Sequence, residues 1–377
     1  MRVLLVGEYN RSHRYLKEGL QNLGHEAIVV GMCDGFKKVD VDIEINQKFR
    51  IGALQKVRSL IKRLFKIDLH FIHVKKQLLK LNKQLKNYDV VQFINESSFL
   101  CDAKDEQNIF DLLSDWNKKV FILSCGTDYP SVKFSFDKKF RYSIHTPYFE
   151  GRVKPTDFSL GLKYLTPEFV KLHHHIYNKI EGVISSDLDY YIPLNNHQKH
   201  LGMIPHVINV DSIPYQEPNI EEKITIFHGI NRTNYYKKGN DIFDAALDII
   251  ESKYKSEVNI IKVENLPYTE YIKAFDTAHI LLDQVYAYDQ GYNALEAMAK
   301  GKVVFTGAEK EWEEYYDVTP NTIVINALPD AKDIASKLEW LIENPEKIIE
   351  ISKNARQFVK THHNHIDSAK SFLEKWS

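Results

Sequence analysis

Short, wholly apolar runs, each separated from the next by a helical stretch, set the strongest limit on this chain. Val3-Leu-Leu-Val6 ends at Gly7. Arg14 to Leu23 then carries Tyr15, Leu16, Gly19, Leu20 and Leu23 at helical spacing, and Gly24-His25 breaks it. Ala27-Ile-Val-Val-Gly31 is a second apolar run. Runs of this kind fit strands buried on both faces, which are parallel strands covered by helices. Further strand-like runs follow at Asp89–Ile94, Lys119–Leu123 and Gly182–Ser185. The alternation predicts a doubly wound α/β domain.

The pattern weakens near Pro205 and restarts after "DSIPYQEPNIEEK", whose two prolines and charges read as a linker. Strands are then expected at Ile224–Gly229, Val258–Val263, His279–Asp283 and Val303–Thr306. Helices are expected at Asn240–Ser252, Thr269–Ala278, Tyr292–Lys300, Asp330–Asn344 and Pro345–His362. The 377 residues thus divide into two doubly wound α/β, Rossmann-like domains, the number that the length suggests. We place them at 1–210 and 218–354, with a C-terminal helix from about 355 to 377 packing back on the first.

Formal net charge is −1, so nothing draws the whole chain to nucleic acid. Cys33, Cys101 and Cys125 form no CxxC pair and suit a reducing compartment. The Met1–Gly7 apolar run is too short for a signal peptide, and no stretch approaches a membrane span. A cytoplasmic protein is expected, with attachment to the inner face of a membrane left open.

That option comes from residues 48–86, which hold twelve Lys or Arg against one acid, Asp68. Leu54, Val57, Leu60, Ile61, Leu64 and Phe65 recur among them at helical spacing. A basic amphipathic helix can dock on an anionic membrane surface. It can equally be an ordinary helix with its apolar face in the core.

Two familiar phosphate sites are missing. The loop Gly7-Glu-Tyr-Asn-Arg-Ser-His13 has one glycine and no GxGxxG, and no Walker A motif is present. The second half offers other chemistry. Arg232 and Lys238 follow its first strand, where ligands of open α/β sheets bind. Two cations there suit a diphosphate, though a solvated basic loop would look the same. "DQGYNALEAMAKGKVVF" places Gly291 before a helix, and helix N-termini attract anions. Glu296 sits among Leu295, Ala297, Met298 and Ala299, where a carboxylate could accept both hydroxyls of a ribose, or could lie on an exposed face.

"KKGNDIFDAAL" and "YNALEAMAKGKVVFTG" resemble the second domain of retaining glycosyltransferases of the GT-B fold, family 4, clearly from about Ile224 to Gly307. "ISSDLDYYIPL…IPHVINVD" resembles them more weakly. The resemblance implies transfer of a sugar from a UDP- or GDP-sugar to a saccharide acceptor, lipid-linked in relatives that build surface polysaccharides. It implies no metal and no cofactor beyond the donor. Arg232 and Lys238 would hold the diphosphate. Glu296 would hold the ribose, Gly291, Tyr292 and Asn293 would bring amides to phosphates and sugar, and Glu264-Asn-Leu266 would face the base.

There are departures. The Glu expected eight residues before Glu296 is Tyr288, leaving Asp289 or Asp283 to contact the donor sugar. Gly7-Glu8 replaces paired glycines, and Val303 replaces a proline. In "LSCGTDYP", Asp128 is either a sugar or acceptor contact or part of a plain turn. Asp187-Leu-Asp189 mimics a metal-binding motif but is expected to start a helix, and the histidines at 173–175 and at 362, 363 and 365 lack zinc-site spacing. A nucleotide-sugar 2-epimerase of the same fold, with acid/base residues in the cleft, and a non-catalytic partner subunit remain the alternatives.

Overall fold

The computed structural model describes residues 1–32, 41–266 and 268–377; Cys33 lies outside them. The first half forms a seven-stranded sheet: β1 (Arg2–Val6), β2 (Glu26–Gly31), β3 (Ile43–Glu44), β4 (Val90–Phe93), β5 (Lys119–Ser124), β6 (Gly182–Ser185) and β7 (His200–Met203). Their order is β3-β2-β1-β4-β5-β6-β7, and every pairing is parallel. The second half forms a five-stranded parallel sheet from β8 (Ile224–Ile230), β9 (Val258–Glu264), β10 (Ile280–Leu282), β11 (Val303–Thr306) and β12 (Ile325–Asn326). Its order is β12-β11-β10-β8-β9. The apolar runs form the inner strands, with Val3–Val6, Ile280–Leu282 and Val303–Phe305 all buried.

Sequence patterning misses β3 and β12, too short for a period, and β7, an edge strand of mixed burial interrupted by Gly202.

One apolar cluster joins the two halves. It runs from Leu5, Leu16 and Phe121 through Ile204, Ile208 and Ile213 to Leu295, Met298 and Trp312. The Pro345–His362 helix packs on the Tyr292–Lys300 helix, and the chain then crosses back. Its last helix, His365–Trp376, lies against the Ser12–Asn22 helix. The approach is close at Gly19, where a Cβ would fall 2.0 Å from the carbonyl oxygen of His365.

Candidate functional site

Residues just past the carboxyl ends of β1, β5 and β6 share cavities with residues past β8 and β10, the place where open α/β sheets bind ligands. One cavity of about 500 Å³ lies mainly in the second half. One of about 410 Å³ lies mainly in the first, and one of about 180 Å³ is lined by both. All three meet at Gly291. Its backbone is extended (φ −86°, ψ 175°), so its conformation does not demand glycine. A Cβ there would meet only Gln284, at 3.9 Å. A side chain would therefore project into the cleft, and glycine leaves that space to a ligand. Tyr292 and Asn293 open the following helix on the same wall, with the partial positive charge of a helix N-terminus.

The 500 Å³ cavity gathers most of the donor residues expected from the sequence. Lys238, Leu266, Asp283, Gly291, Tyr292, Asn293 and Glu296 all line it. Asp283 organises two of them. Its Oδ1 accepts from Lys238 Nζ at 2.8 Å and from Asn293 Nδ2 at 3.0 Å, while its Oδ2 is buried without a partner. Lys238 is thus held against the wall by a buried carboxylate, and half of that carboxylate's bonding capacity is left over.

Arg232 is not on that wall. Its guanidinium forks onto Glu264, with Nε–Oε1 at 2.7 Å and Nη2–Oε2 at 2.6 Å, and stays half exposed at the rim. Its neighbours Asn231 and Asn234 line the cavity instead. The Glu264 carboxylate, on the segment expected to face a base, is committed to this pair.

Glu296 is buried within its helix, and Arg11 Nη1 reaches its Oε1 at 2.8 Å from the other half of the chain. Arg11 has left-handed backbone (φ 72°) at the start of the Ser12–Asn22 helix. The ion pair spans 285 residues and clamps the first loop of one half to the ligand wall of the other. Asn10, which sequence reasoning missed, lines both larger cavities from the same loop.

Gly7 borders none of the three cavities and serves packing. It has φ 86°, and a Cβ would fall 2.3 Å from Ile94 Cγ2. Glu8 folds back to accept from the Arg14 amide at 2.8 Å, and burial raises its pKa to about 8.

Asp128 also lies off the cavity walls. It caps the Tyr129–Phe136 helix, accepting from the Ser131 amide at 3.0 Å and the Ser131 hydroxyl at 2.6 Å. Ser124 Oγ donates to its other oxygen. Of the two sequence interpretations of Asp128, the geometry matches the turn. Gly126 and Thr127, just before it, do line cavities.

Three carboxylates line the 180 Å³ cavity: Asp187, Asp189 and Asp289. Asp289 accepts from the amides of Gln290 at 2.7 Å and Leu188 at 3.2 Å. Burial first, and the Asp187 charge second, push its pKa to about 8. The same two causes hold Asp189 well above the carboxylate range. Asp187 begins the Leu188–Leu194 helix, as expected, and its Oδ2 lies 3.0 Å from His206 Nε2. Asp187 Oδ1 and His206 Nδ1 are both buried without a partner. The His206 ring packs on Tyr292, tilted by 43° with centroids 4.5 Å apart, and its carbonyl is held by His363 Nδ1 at 2.8 Å. Sequence reasoning missed His206, although it lies in the weakly resembling "IPHVINVD" stretch, because nothing local pairs it with Asp187, Tyr292 or His363.

Tyr288 stands where the resemblance implied a Glu. It is buried in the seam, and its hydroxyl accepts from the Arg141 amide at 2.9 Å. Among the described residues, the one acidic group compact enough for a metal is Asp68, Asp102 and Asp105, outside the cleft. Arg58 already pairs with Asp68, and Lys62 with Asp102.

Residues 232–374 match the family model described as glycosyl transferase-like. No curated protein matches the chain. Solved structures match over nearly its whole length. Sucrose-phosphate synthase from Thermosynechococcus elongatus is 14% identical, with 99% of this chain and 98% of that one covered, at a TM-score of 0.60. HepE from Anabaena in complex with UDP-glucose is 11% identical over 99% and 98%, at 0.56. UDP-GlcNAc 2-epimerase from Neisseria meningitidis bound to UDP-GlcNAc is 13% identical over 100% and 99%, at 0.52. Two parallel Rossmann-like sheets around a shared cleft, with that likeness, give this chain the glycosyltransferase-like GT-B fold.

Proposed function

We propose that this protein transfers a sugar, with retention of configuration, from a nucleoside-diphosphate sugar to a saccharide acceptor. One observation carries the proposal: Lys238, Asn293, Glu296 and the amino end of the Tyr292–Lys300 helix line a single 500 Å³ cavity. That set matches a nucleoside diphosphate. Glu296 takes the ribose hydroxyls, and Lys238 with the helix N-terminus takes the diphosphate. Arg232 joins by leaving Glu264. An exposed ion pair is worth only about 0–1 kcal/mol, so a phosphate can replace it. Asp283 Oδ2 and the Asp187–Asp189–Asp289 group offer hydrogen bonds to the sugar.

The chemistry needs no dedicated base. The departing diphosphate takes the acceptor proton, and fixed cations stabilise the charge developing on it. Lys238, Arg232 and the helix end provide that positive charge, so the reaction is metal-independent and uses no cofactor besides the donor. The acceptor enters through the 410 Å³ cavity, and we take it to be lipid-linked, for surface polysaccharide synthesis. The structures of HepE with UDP and UDP-glucose support a UDP-sugar donor.

The test measures thermal stabilisation by UDP, GDP and their sugars, then sugar release with and without saccharide acceptors. A ligand at 100 times its Kd stabilises by about 2.7 kcal/mol. No stabilisation by any nucleoside diphosphate would sink the proposal.

A second reaction has one observation in its favour. The Asp187–His206 pair, with unpartnered atoms in the cleft, could move protons as a 2-epimerase requires. Interconversion of UDP-GlcNAc with its 2-epimer in the absence of acceptor would establish that reaction instead.

A further inference from the structure

The Gly52–Phe65 helix packs with its polarity reversed. None of its residues is buried. Leu60, Leu64 and Phe65 are 58%, 63% and 66% exposed, and Ile51, Leu54, Val57 and Ile67 are exposed with them. Basic side chains make the docking contacts instead. Arg58 forks onto Asp68 at 2.7 and 2.6 Å, and Lys62 reaches Asp102 at 2.6 Å. Asp68 is itself the buried cap of the Leu69–Lys80 helix. That helix, in contact with the first, exposes Ile72 and Leu79 as well. Apolar side chains exposed in this number on two neighbouring helices mark a site where something else binds.

Charge selects the occupant. Lys56, Arg63, Lys66, Lys76, Lys80 and Lys83 are exposed around the patch. The only acid between residues 48 and 86, Asp68, is already paired. A second copy facing this surface across a two-fold axis would set these like charges against each other. An anionic lipid surface accepts both features, with apolar side chains below the headgroups and ammonium groups snorkelling among the phosphates.

The position also fits. Arg50 Nη1 bonds the Leu100 carbonyl at 3.2 Å, and Leu100 lines the 410 Å³ cavity. Leu160, 64% exposed, lines it too. We propose that the Gly52–Phe65 helix lies in the plane of an anionic membrane, inserts Leu60, Leu64 and Phe65, and holds the mouth of this cavity at the lipid surface. Insertion stands on its own observations; the delivery of a lipid-linked acceptor to the cavity rests on the transfer reaction proposed above.

The experiment uses the full chain and vesicles of phosphatidylcholine with or without phosphatidylglycerol, at low and high salt. Binding should need phosphatidylglycerol, weaken with salt and persist in part at high salt, because insertion is not screened. Leu64→Glu with Phe65→Glu should lower partitioning by about tenfold or more. A Phe65→Trp variant should gain blue-shifted emission on binding. The substituted residues are exposed, so circular dichroism and the UDP-induced thermal shift should match the parent. That shift reports on the nucleotide cavity alone, so failure of either proposal leaves the other standing. Binding that salt abolishes and the Glu substitutions leave unchanged would overturn insertion. A stable dimer that Leu64→Glu dissociates, with no vesicle binding, would assign the patch to a second copy.

Discussion

The Tyr292–Lys300 and Gly52–Phe65 helices make opposite use of the same kind of pattern. In the first, Ala294, Leu295, Ala297, Met298 and Ala299 are wholly buried and the one acid, Glu296, is buried with them. In the second, no residue is buried, and charged side chains hold the helix to the domain. Each has apolar residues at helical spacing. The lesson is that periodicity tells which residues share a face, while the surface opposite decides which face turns inward.

The largest expected effect breaks this comparison directly. Met298→Ala should lower unfolding free energy by about 2–5 kcal/mol, because a cavity forms in a packed core. Leu60→Ala should stay within about 0.5 kcal/mol, as at exposed positions generally. Urea unfolding of both variants checks it; equal losses would mean that the Gly52–Phe65 helix is covered after all.

Next comes the chemistry at the buried helix. Lys238→Ala should lower kcat about 10²–10³-fold, the scale of losing one preorganised charge contact. Arg232→Ala should cost less, since that guanidinium starts on Glu264 at the rim. Steady-state rates with a donor that stabilises the protein decide this, and unchanged rates in both variants would remove the diphosphate assignment.

Glu296→Gln should weaken UDP binding by about 1.5–3 kcal/mol, the range for hydrogen bonds to a charged group. A 2′,3′-dideoxy analogue should bind weakly to both forms. Titration calorimetry showing equal loss for both nucleotides would leave Glu296 with only its structural pairing to Arg11.

The smallest effect is a change in pH slope. Burial raises the Asp289 pKa from 3.8 to about 8. The folded chain therefore keeps a proton that the unfolded chain releases above its lower pKa. The stability from this group is fully present below pH 3.8 and is lost as pH rises through about 8. Asp289→Asn should flatten the dependence across that window. Denaturant unfolding at acidic and mildly alkaline pH, compared with the parent, would show it; an unchanged slope would place the carboxylate in contact with solvent.

The sequence by itself determined the alternating α/β architecture and the helix that begins after Gly291 and carries Glu296. Buried parallel strands are local apolar runs, and a glycine before a helix is a local signal. The tertiary structure alone decided the rest. Arg232 is tied to Glu264, which lies 32 residues away; Glu296 is tied to Arg11 across 285; and His206, just past β7, meets Asp187 at the start of the Leu188–Leu194 helix. Asp128 became a cap rather than a cavity group because Ser131 and Ser124 consumed its oxygens. The Gly52–Phe65 helix turned its apolar side outward because folding set Asp68 and Asp102 beneath it. Ion pairs and hydrogen bonds act over a few ångströms in space, so which partner a side chain finds depends on how the whole chain is folded.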